Sequence, residues 1–220
     1  MLRVALTGGL GAGKSTAGRM FAALGAHVLS SDEIGRELMQ PGQPVYAAIV
    51  QHFGNQVELP GGGGLDRVAL ARLVFTEGRA EELNAIVHPA VILQQAKIIE
   101  RIAREDPGAV VVIESALVFE TLHGGPGGWA QRFDKVVLVT APEEVKIARF
   151  VDRASKGARL SDEQRETLEA EARSRLAQQI PEDKKAALSD YVLTNEGPAT
   201  ELEWQVDQLW PILQAQASAF

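Results

Sequence analysis

The amino-acid sequence predicts an α/β protein built on an open, mostly parallel β-sheet. Apolar runs of strand length recur along the chain, and most of them are followed by a segment with helical periodicity. The run at residues 109–113, Ala-Val-Val-Val-Ile, is continuously apolar rather than alternating. Continuous runs are typical of parallel strands with helices on both faces, so a three-layer α/β/α arrangement is expected.

Five segments have the length and composition of the strands in such a sheet. A helix is predicted at residues 14–24, and Gly25 directly after it suits the left-handed position that commonly ends a helix. The predicted strands cover residues 2–6, 26–29, 109–113, 135–139 and 191–193.

Two stretches do not follow this alternation. Residues 34–105 are mainly helical in pattern, with interruptions at Pro41-Gly42, Pro44, residues 60–64 and Pro89, and residues 142–185 are charged and helical, with a break at Lys156-Gly157. The glycine-rich runs at 61–64 and 124–128 are predicted surface turns. We therefore expect a core formed by residues 1–33, 106–141 and 186–220, enlarged by a helical insertion at 34–105 and a second helical segment at 142–185.

Composition excludes several classes of protein. The 22 Lys and Arg against 29 Asp and Glu give a net charge of −7, which argues against a nucleic-acid partner. The chain has no cysteine, so disulfides, thiolate metal sites and cysteine nucleophiles are excluded. The N-terminus lacks a secretory pattern, and the apolar runs are shorter than a membrane span. A cytoplasmic enzyme without a membrane or protein partner is the expectation.

The segment from Gly8 to Ser15, here called the phosphate loop, matches the pattern G-x-x-x-x-G-K-[ST] between the first strand and the first helix. Glycines let successive backbone N–H groups point at phosphate oxygens, and the helix adds its positive end. The pattern assigns Lys14 to the β- and γ-phosphates and the Ser15 hydroxyl to Mg²⁺. The predicted ligands are therefore a nucleotide and Mg²⁺, contacted by Gly9, Gly11, Ala12, Gly13, Lys14, Ser15 and Thr16.

Polar residues follow three predicted strands at the edge where ligands bind in open α/β sheets. The second strand ends in Ser30-Ser31-Asp32, the third in Glu114 and the last in Thr194-Asn195. Asp32 is a candidate to orient or deprotonate an attacking hydroxyl, and Glu114 is a candidate carboxylate near Mg²⁺. The structural alternative for Asp32 is a helix N-cap, because a helical pattern follows at residues 33–39.

A basic stripe forms the second electrostatic signal. Lys146, Arg149, Arg153 and Lys156 are spaced i, i+3, i+7 and i+10, which predicts four cations on one face of a helix. Such like charges repel unless an anion joins them, so a lid that closes on phosphates is one interpretation. A solvated basic surface is the other.

The pattern N-K-x-D of guanine-nucleotide switches is absent after the last strand, where Asn195 is followed by Glu196-Gly197. A different set of segments follows a recognisable order along the chain: residues 6–15, 32–38, 41–42, 53–54, 65–67, 84–89, 117–120 and 190–195, with Arg149, Arg153 and Gln179. In these segments the chain resembles the dephospho-CoA kinase family over nearly its whole length.

The resemblance implies a P-loop NTPase fold with a helical substrate-binding insertion and a helical lid. It further implies ATP-dependent phosphorylation of the ribose 3′-hydroxyl of dephospho-CoA. In this family pattern Asp32 is the base, Arg149 and Arg153 lie in the lid region that meets phosphates, and Asn195 lies near the adenine pocket. Asp32, Lys14 and Arg149 are thus the expected catalytic residues.

The chain departs from the family pattern at two places. Ser30-Ser31-Asp32 stands where the family usually has D-x-D, and residues 114–120 read E-S-A-L-V-F-E where it usually has D-x-P-L-L-F-E. Two other functions stay open at this point. One is a different small-molecule P-loop kinase, such as a nucleoside monophosphate kinase, and the other is a nucleotide-dependent binding or regulatory protein without a phosphoryl acceptor.

Overall fold

The computed structural model describes residues 1–75, 77–120 and 128–218. Its sheet has five strands in the order β2-β3-β1-β4-β5, and the pairs β1–β3, β1–β4 and β4–β5 are all parallel. The predicted α/β fold is confirmed, and each predicted strand is found to within one residue at either end. The strands are β1 (Leu2–Thr7), β2 (His27–Ser30), β3 (Val110–Glu114), β4 (Lys135–Thr140) and β5 (Tyr191–Thr194).

Both faces of the sheet are buried, which explains why the central strands are continuously apolar. On one face, β1, β3 and β4 pack against Phe21 of α1 (Lys14–Ala23) and Leu202 of α9 (Ala199–Ala217). Side chains alternate along a strand, so Ala5 and Val111 point to the opposite face, and they are fully buried as well. α1 is followed by Leu24 and Gly25, whose φ of 108° is the predicted left-handed conformation.

Three helices occupy the segment between β4 and β5. They are α6 (Glu143–Ser155), α7 (Asp162–Ala177) and α8 (Glu182–Ala187). α7 begins with a capping box in which the Ser161 hydroxyl accepts from Gln164 N and the Gln164 side chain accepts from Ser161 N. Ile147, Phe150, Val151 and Ala172 form an apolar core between α6 and α7, and Leu10 of the phosphate loop packs against it.

The chain divides into two compact units. The first, here called the core unit, comprises Met1–Leu29 and Ile102–Phe220, and the second, the helical unit, comprises Ser30–Arg101. The helical unit has its own apolar core, formed by Val45, Ile49, Phe53, Val57, Leu70 and Leu73. It contains α2 (Ser31–Leu38), α3 (Pro44–Phe53), α4 (Arg67–Phe75) and most of α5 (Ala80–Glu105).

The predicted interruption at Pro89 is wrong. α5 runs through this residue without a break and is 26 residues long. A proline inside a helix removes one backbone donor and costs about 3 kcal/mol. Val87 and Ala90 pack on the core of the helical unit and Val91 is buried, so tertiary packing outweighs the local preference.

Two further predictions concern the surface. In the first glycine-rich run Gly61, Gly62 and Gly63 are exposed, as expected of a surface turn, but Gly64 is buried. Residues 124–127 of the second run lie outside the described residues, and its last residue, Gly128, is buried at the start of a short 3-10 helix. Within the described part of the chain, no helix has the length and apolar character needed to cross a membrane.

Candidate active site

The phosphate loop connects β1 to α1, and glycine is required at positions 11 and 13 by both conformation and space. Gly11 and Gly13 have φ of 73° and 104°, in the left-handed region that side chains disfavour. A Cβ atom at Gly11 would overlap the backbone carbonyl of Lys146, and one at Gly13 would overlap the side-chain amide of Asn195. The loop is therefore enclosed by residues from α6 and from the end of β5.

The first turn of α1 leaves backbone donors available at the loop. Its N-cap is Gly13, and no described side chain caps the helix. The first backbone N–H groups of a helix have no partner within it, and the helix dipole adds positive potential there. The loop and this helix end form an anion site suited to phosphate.

Lys14 and Ser15 lie at the mouth of the loop. The Lys14 ammonium group donates to the carbonyls of Gly8 at 3.0 Å and Gly9 at 3.2 Å. The Ser15 hydroxyl donates to Glu114 Oε1 at 2.5 Å. The Thr16 hydroxyl accepts from Arg19 at 3.3 Å. The structure thus brings the two predicted Mg²⁺ candidates, Ser15 and Glu114, into direct contact.

The oxygen donors of this pair fit a magnesium ion. Mg²⁺ prefers hydroxyl and carboxylate oxygens, and in kinase sites it keeps waters and takes further oxygens from substrate phosphates. Among the described residues there is no group of three or more acidic or histidine side chains that could hold an ion without the nucleotide. Ser15 and Glu114 would therefore form the protein's part of a shared coordination shell.

Asn195 links the phosphate loop to Arg149. Its side-chain amide donates to Ala12 O at 2.8 Å. Arg149 donates to the backbone oxygen of Asn195 at 3.0 Å and to Asn195 Oδ1 at 3.3 Å. Residues from β5, α6 and the phosphate loop, distant in sequence, thus converge on one point.

The prediction of four cations on one face of a helix is wrong for Lys156, and the three cations that lie on α6 differ in their surroundings. Lys146 is 5% exposed and forms an ion pair with Glu182 of α8, so it is a buried, neutralised cation. Lys156 follows the last residue of α6 in a left-handed conformation, with φ of 51°. Arg153 is exposed on α6. Sequence spacing could not show this difference, because the partner of Lys146 lies 36 residues away.

Asp32 lies in the first turn of α2, in the helical unit, and its side chain is exposed. The alternative assignment of Asp32 as the N-cap is wrong, because the cap is Ser30, whose hydroxyl accepts from Glu33 N at 3.2 Å. A serine thus caps α2 where the family pattern has its first aspartate. Asp32 is left without a capping role.

Two features near the phosphate loop in the core unit were not predicted from the sequence. Lys185 of α8 is 2% exposed and pairs with Glu120 at 2.8 Å, and Glu120 also accepts from Ile180 N at 3.3 Å. Glu120 belonged to a recognised motif, but nothing in the sequence indicated its partner. A cavity of about 440 Å³ lies beside Gly9 and is lined by Lys146, Arg173, Gln179, Glu182 and Lys185, among others.

The helical unit contains a larger cavity of about 510 Å³. Its lining is mainly apolar and includes Met39, Leu59, Leu65 and Leu70, with the guanidinium-bearing residues Arg36 and Arg67. An apolar cavity with a few cationic groups is suited to an elongated ligand that carries both a hydrocarbon part and an anionic part.

A five-stranded parallel sheet with a glycine-rich phosphate loop between β1 and α1 defines a P-loop nucleotide-binding protein. Comparison with known proteins narrows this class. The model of the family described as dephospho-CoA kinase matches residues 2–201. The chain belongs to the dephospho-CoA kinase family, as its motifs predicted, and it is an enzyme of the kinase class.

Individual relatives agree with this assignment. The chain is 38% identical over 212 residues to the dephospho-CoA kinase of Geobacter metallireducens, covering 96% of each chain. It is 39% identical over 211 residues to that of Mycolicibacterium paratuberculosis, covering 96% of this chain and 47% of that protein. A Thermus thermophilus protein of known crystal structure has 30% identity and a TM-score of 0.70, with 96% of this chain and 97% of that chain covered.

Proposed function

We propose that the chain transfers the γ-phosphoryl group of ATP to the ribose 3′-hydroxyl of dephospho-CoA, giving CoA and ADP. The observation that carries the proposal is the phosphate loop, with Lys14, Ser15, Glu114 and Arg149 around it, in a chain of this family. The bond from the 3′-oxygen to the γ-phosphorus forms as the bond from that phosphorus to the β,γ-bridging oxygen breaks. The hydroxyl proton passes to Asp32.

Each residue of the phosphate loop has a role set by its chemistry. Backbone N–H groups of the loop that do not bond to its described carbonyl groups, such as those of Gly13 and Ser15, bind phosphate oxygens, and Lys14 exchanges its carbonyl contacts for the β- and γ-phosphates. Ser15 and Glu114 would hold Mg²⁺, which when bound neutralises charge that develops on the phosphates. Arg149 and Arg153 provide further positive charge as residues 142–185 act as a lid.

The helical unit is the proposed binding site for dephospho-CoA. Its cavity of about 510 Å³ offers an apolar lining for the pantetheine arm, and Arg36 and Arg67 offer positive charge for the diphosphate. Asp32 belongs to the same unit, so the residue that accepts the proton belongs to the part of the chain that binds the acceptor.

A cytoplasmic location stays a prediction.

The test is an ADP-release assay with separate acceptors. We expect ADP to appear only when dephospho-CoA is present, and chromatography of the product to show CoA in equal amount. ADP release with a nucleoside monophosphate instead would replace the proposal by a different P-loop kinase activity. Acceptor-independent hydrolysis alone would favour a nucleotide-dependent regulatory protein.

A further inference from the structure

We propose that Asn195 is a positioning residue with two contacts. It fixes one peptide of the phosphate loop, and it orients Arg149 next to that loop without neutralising the charge of Arg149. Asn195 is the first residue after β5 and is 7% exposed. Its backbone N–H donates to Thr140 O at the end of β4 at 2.8 Å, so the residue is anchored to the rigid sheet. The proposal rests on the proposed function only where it concerns catalysis.

The contact with Ala12 sets the direction of a phosphate-loop donor. Asn195 Nδ2 holds Ala12 O at 2.8 Å, and 183 residues separate the two in the chain. In a planar trans peptide the carbonyl oxygen and the following N–H point in opposite directions. Fixing Ala12 O toward Asn195 therefore directs the N–H of Gly13 away from Asn195, and an anion meets a donor that is already oriented.

Gly13 and Asn195 are sterically complementary. The Asn195 amide occupies the space where a side chain at residue 13 would begin, and the φ of 104° at Gly13 is one that glycine adopts without strain. The second glycine of the motif thus lets the side chain of Asn195 reach the backbone of the loop.

The other end of the amide orients Arg149. The guanidinium group donates to the backbone oxygen of Asn195 at 3.0 Å and to Oδ1 at 3.3 Å. Both acceptors are neutral, and Arg149 forms no salt bridge with any described carboxylate. An amide at this position can thus hold a cation in place and leave its full charge for a polyphosphate, whereas a carboxylate would neutralise it.

The experiment uses the charge-matched variant Asn195→Asp with Glu196→Gln, and Glu196→Gln alone as its control. An aspartate keeps an acceptor for Arg149 but cannot donate to Ala12 O. The substitution Glu196→Gln at the exposed neighbouring residue removes one negative charge and so compensates the charge that the aspartate adds. Calorimetry measures the Kd of ATP and of tripolyphosphate with Mg²⁺ in the full chain. Asn195→Ser is the second variant, and thermal unfolding verifies that each is folded.

We expect the double variant to bind both ATP and tripolyphosphate roughly 10- to 100-fold more weakly, with the control unchanged. In turnover, kcat and the KM for ATP should change while the KM for dephospho-CoA stays near its wild-type value. Loss of ATP binding with normal tripolyphosphate binding would overturn the proposal, since it would show that Asn195 contacts the base. Wild-type affinity in both folded variants would also overturn it. Because the binding measurements need no acceptor, they remain decisive if dephospho-CoA is not the substrate.

Discussion

Gly13 and Gly25 flank α1 at its two ends and have nearly the same backbone conformation, with φ of 104° and 108°. They differ in what surrounds them. A Cβ at Gly13 would overlap the Asn195 amide, whereas one at Gly25 would meet its nearest neighbour, Trp210, at 3.9 Å. An alanine at either position would therefore have the same backbone strain, but only an alanine at position 13 would also overlap a neighbouring side chain.

Gly13→Ala should therefore abolish measurable ATP binding, and Gly25→Ala should leave it intact. Both substitutions carry the cost of a left-handed alanine, about 1–2 kcal/mol. Urea unfolding and calorimetric titration with ATP check this expectation. Equal loss of ATP affinity in both variants would show that helix stability, rather than the space beside Asn195, limits binding.

Asp32→Asn should reduce kcat by roughly 10²- to 10⁴-fold, because an amide cannot accept the hydroxyl proton at neutral pH. Ser30, not Asp32, caps α2, so the substitution should lower the unfolding midpoint only slightly, through the loss of one acid in the first turn. Steady-state kinetics with ATP and dephospho-CoA measure the effect. Glu33→Gln, which alters the exposed neighbour, serves as the control, and an unchanged kcat for Asp32→Asn would remove Asp32 from the role of base.

At the residue scale, the sequence predicted the geometry of the phosphate loop and the nearness of Glu114 to Ser15, but not the contact of Asn195 with the loop. The pattern from Gly8 to Ser15 carries its own backbone requirements, so its conformation could be predicted. The contact of Asn195 with Ala12 depends on which strand ends lie side by side in the folded sheet. The sequence placed Asn195 at the ligand-binding edge of the sheet, and the family resemblance placed it near the adenine pocket, but no spacing rule predicts its contact with Ala12.

At the element scale, a small cluster joins α3 to the start of α5. Glu82 accepts from Arg79 at 2.9 and 2.7 Å and contacts His52 at 2.6 Å, while Arg79 lies over the Phe53 ring at 4.6 Å. The hydrogen bonds from Arg79, followed by the contact with His52, lower the pKa of Glu82 from 4.5 to about 2. The ionised carboxylate is thus the form that the folded helical unit favours.

This lowered pKa sets the sign of a pH effect. The folded-state pKa is below the unfolded one, so the stabilisation from Glu82 is complete above about pH 4.5 and is lost as the pH falls toward 2. The difference in urea midpoint between the wild type and Glu82→Gln should therefore shrink across that window. A difference that is constant with pH would show that the cluster acts through packing alone.

Elements were predictable where a single periodicity dominated. The central strands β1, β3 and β4 follow from apolar runs, because burial on both faces leaves few polar positions in the pattern, whereas the edge strands β2 and β5 are partly exposed. The helix was predicted to be interrupted at Pro89, but α5 continues through it because the residues on both sides pack on the core of the helical unit. The spacing of the basic residues did not predict that Lys146 is buried, because Lys146 pairs with Glu182 from a different helix.

At the scale of the whole molecule, each unit has a core of its own. Ile49 in the helical unit and Phe21 in the core unit are both fully buried. We expect Ile49→Ala to cost about 2–5 kcal/mol and Phe21→Ala about 3–5 kcal/mol. Each should accelerate amide hydrogen exchange mainly in its own unit, measured by mass spectrometry of peptides from 30–101 and from the remainder.

Leu93→Ala is the matched control for these two substitutions, because its side chain is 58% exposed. It should change neither stability nor exchange appreciably. Uniform acceleration across both units by Ile49→Ala would show that they unfold as one cooperative structure.

The chain has a net charge of −7, but one segment of it, residues 146–159, is positively charged. The window 146–159 holds five Lys and Arg and one Asp, yet Lys146 is neutralised by Glu182. Arg149 lies beside the neutral amide of Asn195, next to the phosphate loop that contains Lys14. Positive potential is therefore concentrated at a few oriented groups, which is why whole-chain charge did not indicate an anionic ligand.

Leu10 belongs to the phosphate loop by its backbone and to the core between α6 and α7 by its side chain. Its volume must match that of Ile147, Phe150 and Ala172 for the helices to pack. Over evolutionary descent, residue 10 and these helix positions should consequently change together, with a larger residue at one compensated by a smaller residue at another. A phosphate loop transferred from a distant relative would then pack well only if α6 and α7 were transferred together with it.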